Sequence, residues 1–156
     1  MDGYELRYDR ERSILLCSSI TNNNRKLWVK KLKEISYISN IIEDEQRYYL
    51  ACESGEISGQ FLVLLKRTGS TKWFIPGKSY LQILFGDYIY LIFIDEEEHY
   101  YFLKVNRKSG ELKWHHKVDQ DLCKYSITKE RILLTYFSGK EESISVKTGG
   151  FYFNDS

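Results

Sequence analysis

One repeated phrase constrains the fold of this chain more than any other feature. Trp114 follows Trp73 by 41 residues, and when these two tryptophans are superposed, Gly110 of the preceding turn falls on Gly69. Superposing Trp28 on Trp73 requires a step of 45 residues, and asparagine then replaces glycine in the turn, since both residues adopt left-handed backbone angles readily. A repeat of about 40 residues indicates a protein built from similar units placed side by side.

Each unit is predicted to contain four short strands, A to D, because alternating apolar residues are separated by Gly, Asn, Asp and Ser. The predicted A strands are 34–42, 79–85 and 123–128, and the B strands are 47–53, 88–94 and 131–137. The C strands are 60–65, 100–106 and 143–147, and the D strands are 71–75, 111–116 and 151–153. A shorter first unit has strands 4–8, 13–17 and 26–31; a helix over 25–35 is the alternative there, although the repeat places strand D in that segment;.

Composition agrees with a single all-β domain over residues 1–156. Aromatic residues make up 15% of the chain, and they favour pleated sheets. The net charge of +1 does not indicate direct nucleic-acid binding;. No apolar run reaches membrane-spanning length, and the charged start lacks a secretory signal, so we expect a cytoplasmic protein. Cys17, Cys52 and Cys123 lie in apolar runs without metal-type spacing, which predicts free core thiols;.

Residues 88–114, "YIYLIFIDEEEHYYFLKVNRKSGELKW", resemble the blade repeat of quinoprotein-like (PQQ-repeat-type) β-propellers. In that family an aromatic and β-branched strand B leads through an acidic turn to strand C, and then through a Thr-Gly or Ser-Gly turn to a tryptophan in strand D. The segments "KRTGSTKW" and "VKTGG" match the same turn, so the similarity covers roughly residues 34–150. It implies a propeller-like array of about four small antiparallel sheets, either a half-propeller or a small four-bladed propeller.

The same resemblance implies features that this sequence does not have. A quinone-binding dehydrogenase of the family would need around eight blades, a signal peptide, a vicinal disulfide and calcium-ligating acids. We therefore expect no pyrroloquinoline quinone and no other cofactor. The open ends of an incomplete ring would need to be covered by charge, by a loop or by a partner.

No motif for catalysis or metal binding is present. His115 and His116 are adjacent on a predicted strand and must point to opposite faces, so they cannot ligate one metal together;. His99 beside Asp95 and Glu97 matches no known ligand spacing;. The sequence contains neither a nucleophile elbow nor a complete phosphate-binding loop. We expect a protein that is not an enzyme.

Charges separate according to the turns that carry them. In an antiparallel sheet the B-to-C turns lie at one end and the C-to-D turns at the other. The C-to-D turns and adjoining D strands are basic, with Arg25, Lys26, Lys66, Arg67, Lys72, Arg107, Lys108, Lys113 and Lys147. The B-to-C turns are acidic, and together with one aromatic residue they form the predicted partner-binding set of Glu53, Glu56, Asp95, Glu96, Glu97, Glu98, Tyr100, Glu141 and Glu142.

Acidic turns have two interpretations. Turn residues face water and are commonly charged for solubility, or they steer a basic partner to the correct surface. Tyr100 or Tyr101 would then supply an aromatic anchor, although adjacent strand residues face oppositely and one of the two belongs to the core;. The second interpretation predicts a bacterial immunity-type inhibitor of a toxin, for instance a nuclease with a basic active site. The alternative is a structural scaffold or half-propeller subunit that completes a ring by self-association, for instance as a homodimer. A glycan- or nucleotide-acting enzyme is a third hypothesis.

Overall fold

The computed structural model describes residues 3–21 and 23–152, and these residues form an all-β fold. It contains fourteen strands in four antiparallel sheets within the described ranges. In every sheet the strands lie in sequence order, so each sheet is a meander joined by short turns. The predicted all-β, propeller-like fold class is confirmed, and the segment 25–31 is a strand as the repeat required.

The strand boundaries follow the predicted repeat closely. The first sheet contains β1 (Tyr4–Asp9), β2 (Ile14–Ser19) and β3 (Arg25–Lys31). The second contains β4 (Tyr37–Glu43), β5 (Arg47–Glu53), β6 (Gly59–Leu65) and β7 (Thr71–Pro76). The third contains β8 (Lys78–Phe85), β9 (Tyr88–Ile94), β10 (Tyr100–Asn106) and β11 (Leu112–Val118), and the fourth β12 (Leu122–Ile127), β13 (Arg131–Tyr136) and β14 (Glu141–Ser145).

The three tryptophans occupy equivalent positions, as the repeat predicts. Trp28, Trp73 and Trp114 lie in β3, β7 and β11, and each is opposite a residue of the preceding strand just where the pairing register shifts. The shift leaves one extra residue immediately before each tryptophan, which is the geometry of a β-bulge. A bulge increases the local twist and redirects the next side chain, and all three indoles are buried.

The packing of these tryptophans explains why the repeated turns contain glycine. Gly69 and Gly149 have positive φ values of 76° and 75°, and a Cβ atom there would lie 2.5 Å from a ring atom of Trp28 or Trp114. The indole N–H of Trp28 donates to the Lys66 carbonyl at 2.7 Å, and that of Trp114 donates to the Val146 carbonyl at 2.8 Å. These turns therefore need glycine both for backbone angle and for space.

Contacts within the chain fall into two compact units. The first comprises Met1–Tyr80 with Lys108–Gly110, and the second comprises Leu81–Arg107 with Glu111–Ser156. The first core joins the first and second sheets through Leu15, Cys17, Trp28, Leu32, Ile35, Tyr48, Leu50, Cys52, Leu62 and Leu64. The second core joins the third and fourth sheets through Tyr90, Ile92, Phe102, Trp114, Val118, Ile132, Leu134, Tyr136, Ile144 and Val146. Each fully buried aliphatic side chain contributes roughly 1.5–3 kcal/mol.

The number of covered faces differs between sheets. In β2 and β13 buried residues alternate with less buried ones, so one face of each strand packs on a core. In β5 five consecutive residues, Tyr48–Cys52, are buried, so both faces of that strand are covered. Of the predicted core thiols, Cys17 and Cys52 are buried. Cys123 is exposed, because it lies in the edge strand β12, in which residues 123–126 are all exposed.

The first and fourth sheets have three strands each. Within the described residues β1 pairs only with β2, so its other edge has no strand beside it. In the fourth sheet the predicted strand 151–153 is reduced to a bridge between Phe151 and Ile144, and residue 153 lies outside the described ranges. The Ser145 N–H donates to the Gly150 carbonyl and the Tyr152 N–H to the Ser143 carbonyl, so this short segment follows the edge of β14.

Candidate protein-binding surface

The turn between β9 and β10 contains the most acidic stretch of the sequence, and hydrogen bonds hold its backbone. One Asp95 carboxylate oxygen accepts the backbone N–H groups of Glu97 and His99, both at 2.9 Å. Glu98 adopts a positive φ of 64°, and its N–H donates to the Asp95 carbonyl. These hydrogen bonds, first of all that from His99, hold the pKa of Asp95 below its ordinary value;. Asp95 thus shapes the turn, and Glu96, Glu97 and Glu98 are left exposed.

Residues 119–121, between β11 and β12, contact both this turn and the turn between β13 and β14. The Gln120 side-chain amide donates to the Glu98 carbonyl at 3.3 Å. Lys140 forms an ion pair with Asp119 at 3.1 Å, and Asp121 accepts the Ser138 backbone N–H at 3.0 Å. The structure therefore brings together three acidic segments of the second unit, which we call the acidic end: Asp95, Glu96, Glu97, Glu98, Asp119, Asp121, Glu141 and Glu142.

Glu141 and Glu142 are adjacent in sequence but differ in exposure. Glu141 is exposed, whereas the Glu142 side chain is 10% exposed. Glu142 pairs with Leu134 across the sheet and so points to the covered face. The Tyr136 hydroxyl donates to its carboxylate, and His116 Nε2 lies 3.7 Å from its second oxygen. Burial and this carboxylate raise the pKa of Tyr136;. The Glu142 carboxylate therefore acts as an internal hydrogen-bond acceptor rather than as a surface charge.

Phe137 is an exposed apolar residue that lies beside the acidic end. Its side chain is 79% exposed, although its backbone N–H is fixed by the Asp121 carbonyl at 2.9 Å. The turn continues through Gly139 with a φ of 92°. The sequence interpretation missed this residue because "RILLTYF" continues an alternating strand, and β13 ends one residue earlier, at Tyr136. An aromatic side chain held on a rigid turn beside carboxylates has the chemistry of an interface anchor.

The two candidate tyrosines separate onto opposite faces, as alternation requires. Tyr100 is partly buried and packs against the second core. Tyr101 lies with its ring edge-to-face to His115, with 5.7 Å between the ring centroids. Tyr100 is therefore the core-facing member of the pair, and its role as a partner anchor remains a prediction.

The predicted acidic residues of the first unit have a different environment. The Glu53 carboxylate is 2.7 Å from the Lys78 ammonium, and both side chains are largely buried. The same ammonium donates to the Glu56 carbonyl at 2.8 Å, and the hydrogen bond to Glu53 raises the pKa of Lys78. Glu53 is thus neutralised locally, while the Glu56 side chain is exposed.

The basic turns are also less uniform than the sequence suggested. Lys66 is buried, and its ammonium lies 3.2 Å from Glu43 and over the Tyr48 ring. Lys113 pairs with Glu111 at 3.4 Å. Arg67, Lys72 and Lys147 are exposed.

The described residues contain neither a metal-binding cluster nor a membrane-spanning helix. No group of three or more His, Cys, Asp or Glu side chains in residues 3–21 and 23–152 is placed to hold a metal ion. Over the same residues, no helix has the length and apolar character needed to cross a membrane.

Solved structures with this arrangement of strands include several propellers. BamB from Moraxella catarrhalis superposes with a TM-score of 0.59 and 9% identity, over 93% of this chain and 46% of that one. A europium-containing methanol dehydrogenase has a TM-score of 0.61 and 9% identity, over 94% of this chain and 38% of that one. The quinohemoprotein alcohol dehydrogenase from Comamonas testosteroni has a TM-score of 0.61 and 10% identity, over 97% of this chain and 33% of that one.

These similarities confirm the predicted resemblance to PQQ-type propellers at the level of the fold. The chain spans between a third and a half of the length of these structures. No protein-family profile matches the sequence, and no curated protein sequence matches it. Because the fold is shared by dehydrogenases with so little sequence identity, it does not by itself assign an activity.

Proposed function

We propose that this protein is a non-catalytic protein-binding module that uses the acidic end of its second unit to cover a basic site on a partner. The observation that carries the proposal is the combination of Glu96, Glu97, Glu98 and Glu141 with the exposed Phe137, all on turns held by hydrogen bonds. Carboxylates accelerate encounter with a basic surface, and a central aromatic residue supplies contact area after encounter. A propeller-like fold is consistent with a protein-binding or scaffold module.

The specific form of the proposal is an immunity-type inhibitor that blocks the active site of a cognate toxin in the cytoplasm. A nuclease is the favoured target class, because sites that bind phosphates are basic and are therefore complementary to the acidic end. The internal position of Glu142 and the local pairing of Glu53 reduce the surface set to the exposed carboxylates. Salt would then alter binding through the association rate, and Phe137 would act through the dissociation rate.

A second candidate function, a scaffold that self-associates, is favoured by the uncovered face of the first sheet. Ile14, Leu16 and Val29 line a cavity of about 250 Å³ there, with Arg7 and Lys26 at its border. Apolar residues on an uncovered sheet face can be buried against a second copy. Light scattering of the free protein separates the two functions: a concentration-dependent dimer that Val29→Lys disrupts supports the scaffold.

The test of the proposed function compares two double charge reversals in the tagged protein expressed in its native cell. Glu96→Lys with Glu97→Lys alters the acidic end, and Lys129→Glu with Lys147→Glu alters exposed charges of the same unit outside it. A captured protein is identified, purified and titrated at low and high salt, with and without nuclease substrate. We expect a basic partner whose binding and inhibition fall at least about 100-fold with the first pair and change less than about threefold with the second.

The opposite pattern contradicts the proposal. If the Lys129 and Lys147 reversals abolish binding while the Glu96 and Glu97 reversals are silent, the acidic end is not the docking surface. Phe137→Ser provides a separate check, because it should accelerate dissociation without altering the salt dependence.

A further inference from the structure

In the second and third sheets a strand fills the position that lies beside the unpaired edge of β1 in the first sheet. The buried tryptophans identify β3, β7 and β11 as equivalent, and counting back from them makes β1 equivalent to β5 and β9. In those sheets the strand before it is β4 or β8. Over residues 3–21 and 23–152, the first sheet has no strand at this position.

Backbone hydrogen bonds show which groups of β1 face that position. Ile20 N–H donates to the Gly3 carbonyl at 2.9 Å, which identifies Gly3 and Ile20 as a hydrogen-bonded pair. Such pairs alternate along an antiparallel ladder. Glu5 and Arg7 therefore bond to β2, and Tyr4, Leu6 and Tyr8 direct their N–H and C=O groups to the open edge. An edge of this kind is a template for a further strand.

Two cavities lie along the open edge, one near each end of β1. The cavity near Tyr8 has a volume of about 260 Å³ and is lined largely by apolar side chains, including Leu6, Tyr8, Tyr37, Ile38 and Ile41; we call these five residues the edge groove. The Ile41 side chain is 42% exposed although it lies in a strand. The absence of a neighbouring strand leaves β4 uncovered on this side.

The cavity at the other end of β1 has a different chemistry. It has a volume of about 930 Å³ and lies beside Tyr4, and its described lining includes the carboxylates of Glu43, Asp44 and Glu45 and the ammonium of Lys66, which lies 3.2 Å from Glu43. The apolar cavity, by contrast, is bordered by Arg10. A ligand along β1 would therefore meet apolar surface in the middle, positive charge at one end and negative charge at the other.

We propose that the β1 edge binds an extended segment of a partner protein by strand addition. The segment pairs antiparallel with β1, as β4 does with β5, and places alternate apolar side chains in the edge groove. Its last residues are basic, because the antiparallel direction brings them to Glu43, Asp44 and Glu45. Main-chain hydrogen bonds provide affinity and the alternate side chains provide specificity. This site lies in the first unit and is independent of the acidic end.

The test uses the full chain and a short peptide probe. A fluorescein-labelled peptide carries residues 79–85 of this chain, which form a strand at the equivalent position of the third sheet, followed by one lysine. A matched peptide ends in glutamate. We expect saturable binding by fluorescence anisotropy, with the lysine peptide binding several-fold more tightly at low salt.

Two N-methylated versions of the lysine peptide test strand addition itself. One is methylated at its odd-numbered amides and the other at its even-numbered amides, and only one of these sets can face β1. One version should bind like the parent, and the other should bind at least about tenfold more weakly because several backbone hydrogen bonds are lost. Equal binding of the two versions overturns the proposal.

Protein variants locate the peptide. Ile41→Lys places a charge in the edge groove, and Phe74→Lys is the matched control, an exposed apolar residue of β7 in the same sheet. We expect Ile41→Lys to weaken peptide binding at least about tenfold and Phe74→Lys to change it less than about twofold. Equal effects, absence of peptide binding, or a dimer of the free protein that Ile41→Lys dissociates would overturn the proposal, the last in favour of a second copy as occupant.

Discussion

The first and fourth sheets each have three strands within the described residues, but they lack different ones. The first has no strand before β1, and the fourth has only the bridge at Phe151 after β14. The β14 edge is followed by residues 150–152, which exchange hydrogen bonds with Ser143 and Ser145. In β1, by contrast, the backbone groups of three alternate residues, Tyr4, Leu6 and Tyr8, face outward. Although both sheets have three strands, the β14 edge is covered and the β1 edge is open, so of these two edges only that of β1 can accept a strand.

The glycine turns that pack on Trp28 and Trp114 are a feature common to both units, and substitutions there should have the largest effect on stability. Gly69→Ala and Gly149→Ala should each destabilise the fold by about 2–4 kcal/mol, because alanine adds left-handed strain to a clash with the indole. Urea unfolding measures both variants. Gly86→Ala and Gly139→Ala are the controls, since both have positive φ but no atom within 4 Å of a new Cβ atom. Controls as destabilised as the test variants would show that packing on tryptophan is unimportant.

The indole hydrogen bonds provide a smaller and more specific comparison. Trp28→Phe in the first sheet and Trp114→Phe in the third remove a donor from a buried carbonyl, that of Lys66 or Val146. We expect each variant to lose about 1–3 kcal/mol of unfolding free energy, with the smaller loss for Trp114→Phe, because the Lys104 ammonium also donates to the Val146 carbonyl at 2.8 Å;. A loss confined to one tryptophan would break the equivalence of the two turns.

Alkaline pH should weaken both cores. Burial raises the pKa of Cys52 in the first core from 9.0 to about 12, and it raises the pKa of Tyr90 in the second from 10.0 to about 12. Above pH 9.0 for Cys52 and pH 10.0 for Tyr90, the unfolded chain releases the proton while the folded chain retains it. Stability therefore falls as pH rises, by up to about 1.4 kcal/mol per pH unit for each group. Urea unfolding at pH 8 to 11 should show this slope.

Substitutions assign the alkaline slope to individual groups. Cys52→Ala and Tyr90→Phe should each flatten the decline above pH 9, even though each variant is less stable at pH 8. An unchanged slope in both variants would show that other groups cause the alkaline loss.

Substitutions on the acidic end should have the smallest effect on stability. The carboxylates of Glu96 and Glu97 are exposed, so their reversal to lysine should change the unfolding free energy by less than about 0.5 kcal/mol. Asp95→Ala should be more harmful, by about 1 kcal/mol, because it removes the acceptor of two backbone N–H groups;. If Asp95→Ala is as harmless as the reversals, the turn is not held by that carboxylate.

Much of the fold could be predicted from the sequence because strand alternation and turn glycines repeat with the tryptophans. The predicted limits of the second-unit strands β9 and β10 and of the first-unit strand β5 agree with the structure. The weak points lie where a strand ends without a turn signal. Predicted strand B of the last unit included Phe137, and predicted strand 151–153 became a bridge at Phe151.

The candidate surface was less predictable, because alternation does not tell which face of a strand is covered. Glu142 follows the acidic turn in sequence, but cross-strand pairing with Leu134 directs it inward. Lys66 follows strand β6 and has the sequence context of a basic turn, yet its side chain is largely buried and its ammonium pairs with the exposed carboxylate of Glu43 from β4 at 3.2 Å. The direction of Glu142 depends on which face of the hairpin β13–β14 is covered, and the position of the Lys66 ammonium depends on Glu43, 23 residues away. Alternation along one strand reveals neither.

Residue-resolved amide exchange by NMR tests most directly whether one edge is open and the other covered. Arg7, directed to β2, and Ser145, bonded to Gly150, should exchange slowly. Leu6 and Tyr8 should exchange at least about 100-fold faster, because they face the open edge. Fast exchange at Leu6 and Tyr8 that slows when the strand peptide is added supports the account. Leu6 and Tyr8 amides as protected as that of Arg7 in the free protein would contradict it.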